Sequence, residues 1–390
     1  MTPAEILRTL VSFDTTSRNS NLELVGWVEG YLAGHGVSSE RVYDATGTKA
    51  NLWATIGPDA GNGYILSGHT DVVPVDGQDW DTDPFDLTEK DGRLYGRGAC
   101  DMKGFLACVL SRVPDLVAAG APVPFHIAFS YDEEVGCVGV HTLLEELKAR
   151  GQKAAACFVG EPTGMQVIIG HKSKLAMEAH IAGFSAHSSL APQGVNAVDA
   201  GARLAVFIRD MADRLAAAGT KDELYDVGFT TAHTGVLQGG TALNIVPDAC
   251  RMMFEVRAVA EDDPRALMDE IIAYAKTELE PAMQAVRPDT GFTFHEISLI
   301  EGLETEADAP VVTLAKRLAG RNDHAKVAYG TEAGLFTRYL GTPTVVCGPG
   351  SIEQAHKPNE FIAASELDAC HAFLGRLIAH AKSGGDQTVS

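Results

Sequence analysis

Three short strings dense in metal-binding side chains constrain this chain more than any other feature. Each follows a short apolar run, and the runs at residues 64–66, 125–131 and 155–159 are bounded by Gly, Pro or acidic residues, as is typical of buried strands. The strings are Gly68-His69-Thr70-Asp71, Asp132-Glu133-Glu134 and Gly160-Glu161-Pro162. Ligands of open α/β sheets bind outside the carboxyl ends of strands. The three strings therefore predict one shared site with the character of a metal centre.

The order of the predicted elements changes twice along the chain. Residues 1–173 alternate helices with short apolar strands, as in a layered α/β domain. Residues 174–298 follow the order β-α-β-β-α-β, which is the split unit of a ferredoxin-like sandwich. The layered pattern resumes over residues 299–390. The sequence therefore predicts a layered α/β domain in two parts, which carries the metal site, with a ferredoxin-like α+β domain inserted between them.

Composition excludes some classes of partner. A formal charge of −21 argues against nucleic acid and anionic membranes, which require basic surface, although solubility alone accounts for most of that charge. The apolar stretches are too short to span a membrane. The seven cysteines form no C-x-x-C pair, so neither a disulfide framework nor a zinc knuckle is indicated. The N-terminus has the pattern of an amphipathic helix, not of a signal peptide, and a cytoplasmic location is expected.

His69 and Asp71 are two residues apart on an extended segment, so their side chains point to the same face. A histidine that binds metal usually donates its other ring N–H to a carboxylate, a role that Asp71 can fill. The pair alone is equally well explained as a solvated turn after a strand.

Asp101 lies just before a predicted helix at residues 103–116, where capping is the simpler role. The small residues on both sides of Asp101 nevertheless allow a ligand to approach the backbone closely. Cys100 is interpreted as a buried thiol, because the other candidate ligands offer oxygen and nitrogen. Such a donor set suits zinc, cobalt or manganese.

Asp132, Glu133 and Glu134 place three acids in a row, which is unfavourable without a cation. Neighbours on an extended chain point in opposite directions, so one can bind metal while the other acts as a general base. A solvated acidic turn explains the string equally well. Glu161 lies at a sharp exit from a predicted strand. A lone loop histidine such as His356 is more often a surface residue than a ligand, but its position after a further predicted strand makes it a candidate ligand.

Three residues of the inserted domain are further candidates. His187 can donate a hydrogen bond to a developing oxyanion, or it can be a solvated loop histidine. Asn244 lies in a Gly-rich connection between two strands, which is plausible as an ordinary hairpin. Arg257 ends a strand and can grip a substrate carboxylate with its two-pronged guanidinium, or merely cover apolar surface.

Taken in order, six strings resemble those of the dinuclear zinc hydrolases of the acetylornithine deacetylase, succinyl-diaminopimelate desuccinylase and carboxypeptidase G family, and the resemblance runs nearly end to end. The strings cover residues 67–74, 96–104, 132–136, 160–163, 186–189 and 355–358.

The resemblance implies roles for individual residues. His69 and Glu161 would hold one metal ion, Glu134 and His356 the other, and Asp101 would bridge them. The ions would be Zn²⁺, with Co²⁺ able to substitute. Asp71 would orient His69, and Glu133 would be the general base. The inserted domain would act as a lid and form a homodimer, in which His187 and Asn244 reach the partner's site and Arg257 grips the substrate carboxylate.

Residues 329–336 and 346–351 are similar to the acetylornithine deacetylase branch of that family. This likeness implies a small-molecule substrate, N2-acetyl-L-ornithine. Charge complementarity suggests that Glu332 meets the ornithine ammonium. Two alternatives stay open: another deacylase or a dipeptidase of the family, such as the desuccinylase, and a non-catalytic metal-dependent binding protein.

Overall fold

The computed structural model describes residues 1–58 and 62–384. The chain divides into two compact units. Of the described residues, the first unit consists of 1–58, 62–170, 303–326 and 331–384, and the second of 171–302 and 327–330. The second unit is therefore an insertion into the first, and it also includes the short segment 327–330. The fold class predicted from the sequence, a layered α/β domain with an inserted α+β domain, is confirmed.

The strands are numbered in chain order. They are β1 (Ser39–Tyr43), β2 (Ala50–Ile56), β3 (Gly63–His69), β4 (Thr88–Lys90), β5 (Arg93–Tyr95), β6 (Phe125–Ser130), β7 (Ala154–Pro162), β8 (Ile168–His171), β9 (Ser173–Ala182), β10 (Thr231–Gly239), β11 (Ala249–Ala258), β12 (Gly291–Ile300), β13 (Leu303–Glu304), β14 (Ala325–Val327), β15 (Thr344–Gly348) and β16 (Phe361–Ala363).

The α-helices are numbered in the same way. They are α1 (Pro3–Val11), α2 (Leu22–Gly34), α3 (Lys103–Ser111), α4 (Val113–Ala119), α5 (Val140–Ala149), α6 (Ala197–Ala218), α7 (Pro264–Tyr274), α8 (Glu280–Gln284), α9 (Pro310–Ala319), α10 (Ala333–Leu340) and α11 (Ala364–Lys382). Among the described residues, no helix is both long enough and apolar enough to cross a bilayer.

The large mixed sheet of the first unit has the order β1-β2-β6-β3-β7-β15-β8-β13, and β14 pairs with β8. Its central strands β6, β3, β7 and β15 run parallel to one another. β3 and β6 are buried along their whole length, as expected for strands covered on both faces. The carboxyl ends of these four strands lie at one edge of the sheet, and that edge positions the site.

A small antiparallel sheet, β16-β5-β4, belongs to the same unit. In its register Phe361 pairs with Tyr95, and Ala363 pairs with Arg93. The segment that leaves β5 therefore runs beside the segment that enters β16. This pairing brings residues near 97 together with residues near 360.

The second unit has a four-stranded antiparallel sheet with the order β10-β11-β9-β12. Together with α6 and α7 this is the ferredoxin-like arrangement that the β-α-β-β-α-β pattern predicts. Side chains alternate along β9, and Leu175, Met177 and Ile181 are buried in a core shared with α6 and α7. The Asn196 side chain accepts hydrogen bonds from the N–H groups of Val198 and Asp199, which fixes the start of α6.

The structure corrects the predicted helix near residue 101 and excludes one of the two roles considered for Asp101. The helix predicted at residues 103–116 is two helices, α3 and α4, which meet at Arg112. Pro114 lies in the first turn of α4 and cannot continue α3, because its ring would clash with the preceding turn. Asp101 does not cap α3. Met102 occupies the N-cap position, and the peptide bond between Asp101 and Met102 is cis.

Candidate metal centre

The ends of the four parallel strands bring His and carboxylate side chains together. His69 is the last residue of β3, Glu133 and Glu134 follow β6, Glu161 is next to last in β7, and His356 follows β15. His69 and Glu161 are 1% and 5% exposed. Strand ends that are distant in sequence thus place their polar side chains at one edge of the sheet.

Asp101 lies between two histidines of this group. Its Oδ1 is 3.2 Å from Nε2 of His69, and its Oδ2 is 3.2 Å from Nε2 of His356. Burial would raise the pKa of Asp101, but hydrogen bonds from His356 and His69 outweigh burial and lower that pKa well below its ordinary value. A single ionised carboxylate therefore spans two imidazoles.

Two sets of side chains meet at this carboxylate. On one side, Oε1 of Glu161 lies 3.8 Å from Nε2 of His69. Ligand atoms of His69, Glu133 and Glu161 all lie within 4.8 Å of one another. On the other side, Oε2 of Glu134 lies 3.0 Å from Nε2 of His356. Ligand atoms of Glu134, Asp101 and His69 also lie within 4.8 Å of one another, so Glu134 is close to both histidines, whereas Glu133 groups with His69 and Glu161.

The donor set fits divalent cations. The Oε1 of Glu161 is buried and lacks a hydrogen-bond partner among the described residues, so it is free to accept a cation. Burial and the nearby Asp101 raise the pKa of Glu161, and the same two causes raise the pKa of Glu134 to about 7. Hydrogen bonds to Asp101 and Glu134 raise the pKa of His356 to about 10. The raised pKa values show that this cluster of side chains favours added positive charge, which a divalent cation supplies. Its oxygen and nitrogen donors suit zinc or a similar ion.

Asp71 has more contacts than the sequence predicted. The Nδ1 of His69 is 2.9 Å from the carbonyl oxygen of Asp71 and 3.5 Å from its carboxylate Oδ1. The carboxylate also accepts hydrogen bonds from the N–H groups of Glu133 (3.1 Å) and Glu134 (3.3 Å) and from the hydroxyl of Ser17 (2.7 Å). Asp71 therefore supports both the imidazole and the turn that carries the two glutamates.

We expect the substitution Asp71→Asn to destabilise the protein by about 1–3 kcal/mol. The NH₂ group of asparagine would replace one of the two carboxylate oxygens, and a backbone N–H of the turn would then lack its hydrogen-bond acceptor. Ser17→Ala, which removes one hydroxyl donor, should have a smaller effect of about 0.5–1.5 kcal/mol. Urea unfolding of both variants measures the difference. Equal stability of Asp71→Asn and the wild type would show that the carboxylate does not hold this turn.

The turn after β6 is fixed by a further pair. Nζ of Lys49 donates to Oδ1 of Asp132 at 2.6 Å.

Two residues of the site have a strained backbone. Asp132 has a φ of 55° and His356 a φ of 62°, and both values are left-handed conformations that non-glycine residues rarely adopt. Backbone strain of this kind persists where the surrounding contacts determine it, and it is common at functional sites.

The predicted site residues of the inserted domain lie in the second unit. His187 and Asn244 are exposed and close to each other, because the N–H of Ser188 donates to the carbonyl of Asn244 at 2.9 Å. Nδ1 of His187 lies 2.8 Å from the hydroxyl of Ser189. Arg257 donates from Nε to Glu255 at 2.8 Å and from Nη1 to the carbonyl of Ala328 at 3.5 Å. In this structure the Arg257 guanidinium is thus already paired.

Glu332 immediately precedes α10 and is only 1% exposed. Burial raises its pKa to about 7, although the hydrogen bond from the Ser130 hydroxyl lowers it. This burial could not be predicted, because Glu332 stands in a stretch with an ordinary mixture of polar and apolar residues.

Sequence reasoning missed the residues that support the centre. Ser17 binds Asp71, Lys49 binds Asp132, and Glu360 binds the backbone beside Asp101. A single serine or lysine has no spacing signature. Glu360 did have a usable signal, because it follows the His356 string by only a few residues and precedes a strand.

Known proteins are similar to this chain in sequence and in fold. The model of the family described as "Peptidase family M20/M25/M40" matches residues 65–380. A protein of Myxococcus xanthus named acetylornithine deacetylase is 36% identical over 387 residues, which is 96% of each chain. One of the same name from Pasteurella multocida is 32% identical over 96% of this chain and 95% of its own. The crystal structure of an M20 family metallo-carboxypeptidase from Sulfolobus solfataricus has a similar fold, with a TM-score of 0.76 at 19% identity over 98% of this chain and 99% of that one.

Proposed function

The chain belongs to peptidase family M20/M25/M40, and on this premise we propose that it hydrolyses N2-acetyl-L-ornithine to L-ornithine and acetate, a step of arginine biosynthesis. The observation that carries the proposal is the Asp101 carboxylate, with one oxygen facing His69 and the other facing His356. The names of the two relatives support acetylornithine as the substrate.

We propose that His69 and Glu161 hold one divalent ion and that Glu134 and His356 hold a second, with Asp101 bridging the two. Zn²⁺ fits these nitrogen and oxygen donors, and Co²⁺ can take its place. When bound, the ions supply Lewis acidity toward the acyl carbonyl and lower the pKa of water. The support is the charge pattern of the site, in which four carboxylates surround two imidazoles.

Glu133 is the proposed general base. It is half-buried, and burial raises its pKa well above the ordinary value. The positive charge of His69 lowers this pKa, whereas the negative charge of Glu134 raises it further. A carboxylate with a raised pKa accepts a proton more readily near neutral pH. In this proposal its carboxylate takes the proton of the attacking water and delivers it to the nitrogen of the leaving amine.

His187 and Asn244 are proposed to donate hydrogen bonds to the oxyanion in the site of a partner subunit, and Arg257 to bind the substrate carboxylate. One oxyanion donor is typically worth about 3–4 kcal/mol. A homodimer through the second unit is part of this proposal. It is supported by Leu243 and Ile245, large apolar side chains beside Asn244 that are 103% and 40% exposed.

A cytoplasmic location is also proposed. All seven cysteines are free and buried, as is usual where the environment keeps thiols reduced.

For Glu332 we expect Glu332→Gln to reduce the preference for N2-acetylornithine over neutral N-acetyl amino acids by about tenfold or more, because a hydrogen bond to a charged group is worth about 1.5–3 kcal/mol. Since Glu332 is 1% exposed, contact with the substrate ammonium would run through water or require the side chain to move. The ratio of kcat/KM for the two substrates is the measurement. An unchanged ratio would make Glu332 a buried acid of the fold without a part in specificity.

The proposed function is tested by an acetate-release assay on purified protein with added Zn²⁺ or Co²⁺. The panel includes N2-acetylornithine, neutral N-acetyl amino acids, N-succinyl-diaminopimelate and a dipeptide, each with and without a chelator. We expect the highest kcat/KM for N2-acetylornithine and loss of activity with chelator. Preference for the succinyl compound or the dipeptide would assign another branch of the family. Tight binding of acetylornithine without acetate release would indicate a binding protein.

A further inference from the structure

Glu360 is a buried carboxylate, 1% exposed, whose hydrogen bonds all go to one loop. Its Oε1 accepts from the N–H groups of Cys100 (2.9 Å) and Asp101 (3.0 Å). Its Oε2 accepts from the N–H of Gly98 (3.1 Å) and from Nη1 of Arg97 (2.6 Å). One side chain thus fixes the backbone on both sides of Cys100 and up to Asp101 itself.

The fold explains why Glu360 reaches this loop. Strand β16 begins one residue after Glu360, and β5 ends one residue before Gly96. Because β5 and β16 pair in an antiparallel register, these two ends are adjacent, and the N–H of Gly96 donates to the carbonyl of Glu360 at 3.0 Å. The same chain segment contains His356. Glu360 therefore connects the segment of His356 to the loop of Asp101.

Arg97 and Gln78 extend this connection to His356. Nη2 of Arg97 donates to Oε1 of Gln78 at 2.5 Å, and Nε2 of Gln78 donates to the carbonyl oxygen of His356 at 3.1 Å. The Arg97 guanidinium also lies 5.1 Å from the ring centre of Trp80, whose indole N–H donates to the same Gln78 oxygen at 3.1 Å. The hydrogen bonds run without a break from the Asp101 backbone through Glu360, Arg97 and Gln78 to the His356 backbone.

We propose that Glu360, acting with Arg97 and Gln78, is a positioning residue that sets the distance between Asp101 and His356 and so determines how tightly the centre retains its metal. The inference rests on the metal centre of the proposed function, but not on the identity of the substrate. Asp101 and His356 come from remote parts of the sequence, and their Oδ2 and Nε2 atoms must stay about as close as the observed 3.2 Å to share an ion. Residues that orient metal ligands usually change metal affinity 10- to 100-fold when they are replaced.

Glu360→Gln is the sharpest substitution. Glutamine has the same shape as glutamate, but only one end of its side chain is an acceptor. Its oxygen can accept from two of the four N–H donors, and its NH₂ group faces the other two, which lose their acceptor. Gln78→Ala is the second variant. Gln78 is half-buried, so its replacement spares the core while removing the hydrogen bond to the His356 carbonyl. Glu366→Gln is the matched control, because the Glu366 carboxylate also accepts a backbone N–H, that of Gly350 at 3.2 Å, but has no hydrogen bond to the loop of Asp101 or to His356 itself.

The experiment titrates each full-length variant with Co²⁺ and follows the visible absorption of the bound ion, with competition by a chelator to obtain the dissociation constants. Thermal unfolding without metal reports the stability of the fold by itself. We expect Glu360→Gln to weaken Co²⁺ binding about 10- to 100-fold and to alter the absorption spectrum, and activity to return at saturating metal. Gln78→Ala should weaken one of the two binding steps about tenfold. Glu366→Gln should bind as the wild type does.

Equal Co²⁺ affinities in the wild type, Glu360→Gln and Gln78→Ala would overturn the inference, and so would an equal loss in Glu366→Gln. A Glu360→Gln protein with a lower melting temperature but unchanged affinity would likewise leave Glu360 with a purely structural role. Acetate release by the wild type is scored separately. If the wild type binds Co²⁺ but releases no acetate, the proposed function fails while the comparison of affinities still decides the role of Glu360.

Discussion

Replacing Glu133 with glutamine should reduce turnover by about 10²–10⁴-fold while the protein keeps its metal. Glutamine has nearly the same shape but cannot accept a proton from the attacking water. In the proposed centre the metal ligands are His69, Asp101, Glu134, Glu161 and His356, so metal content should not change. The measurements are kcat for N2-acetylornithine at saturating zinc and the metal content of the dialysed protein.

Asp132→Asn is the control for this experiment. Asp132 is the preceding residue, and its carboxylate binds Lys49, so the substitution perturbs the same turn without removing the proposed base. We expect its turnover to fall much less than that of Glu133→Gln. Near-normal turnover in Glu133→Gln would remove Glu133 from the role of general base. A large loss of metal in that variant would instead make Glu133 a ligand.

Asp101→Ala should reduce metal affinity at both positions by at least about 100-fold, more than the loss of a merely supporting residue. The reason is geometric, because Oδ1 of Asp101 faces His69 and Oδ2 faces His356, so both positions lose a ligand at once. Asp101→Asn keeps one oxygen and should have an intermediate effect. Both variants are measured by zinc titration with a competing chelator.

Loss of metal from only one position in Asp101→Ala would show that Asp101 serves a single ion. Unchanged binding at both positions would exclude Asp101 from the centre altogether. Since Asp101 is 5% exposed and lies between two histidines, the substitution also removes charge from the interior. Thermal unfolding of the variant without metal separates that effect on the fold from the effect on binding.

The sequence predicted the sheet edge well because the physics of that edge is local. Residues 64–66, 125–131 and 155–159 are apolar runs that end in polar residues, and each becomes a parallel strand of the central sheet. Parallel neighbours bring their carboxyl ends to the same edge, so the gathering of His69, Glu133 and Glu161 follows once the strands are known. The order of the elements in the second unit, β-α-β-β-α-β, was also predicted, and strands β9–β12 with α6 and α7 follow it.

Other local features were not predicted correctly or in full. Of the two roles considered for Asp101, the cap is excluded, because Met102 takes the N-cap position and the Asp101 side chain turns to the two histidines. The continuous helix expected at residues 103–116 overlooked Pro114. Asp71 was expected to orient His69, and the structure adds that its carboxylate also accepts the N–H groups of Glu133 and Glu134. The spacing of residues in a sequence shows which side chains share a face of a strand. It does not show which backbone N–H groups come close to those side chains.

The supporting network could not have been derived from sequence. The partners in the pairs Ser17–Asp71, Lys49–Asp132 and Glu360–Arg97 are far apart along the chain. Their adjacency depends on strand order and on the pairing of β5 with β16, which a single sequence does not determine. Tertiary contacts of this kind therefore need the structure.

Anomalous diffraction from crystals grown with zinc tests the central claim most directly. We predict two strong peaks at the zinc edge, one on either side of the Asp101 carboxylate, with His69 and Glu161 around one peak and Glu134 and His356 around the other. A map without peaks among these five side chains, at zinc concentrations where the enzyme is active, would contradict the account.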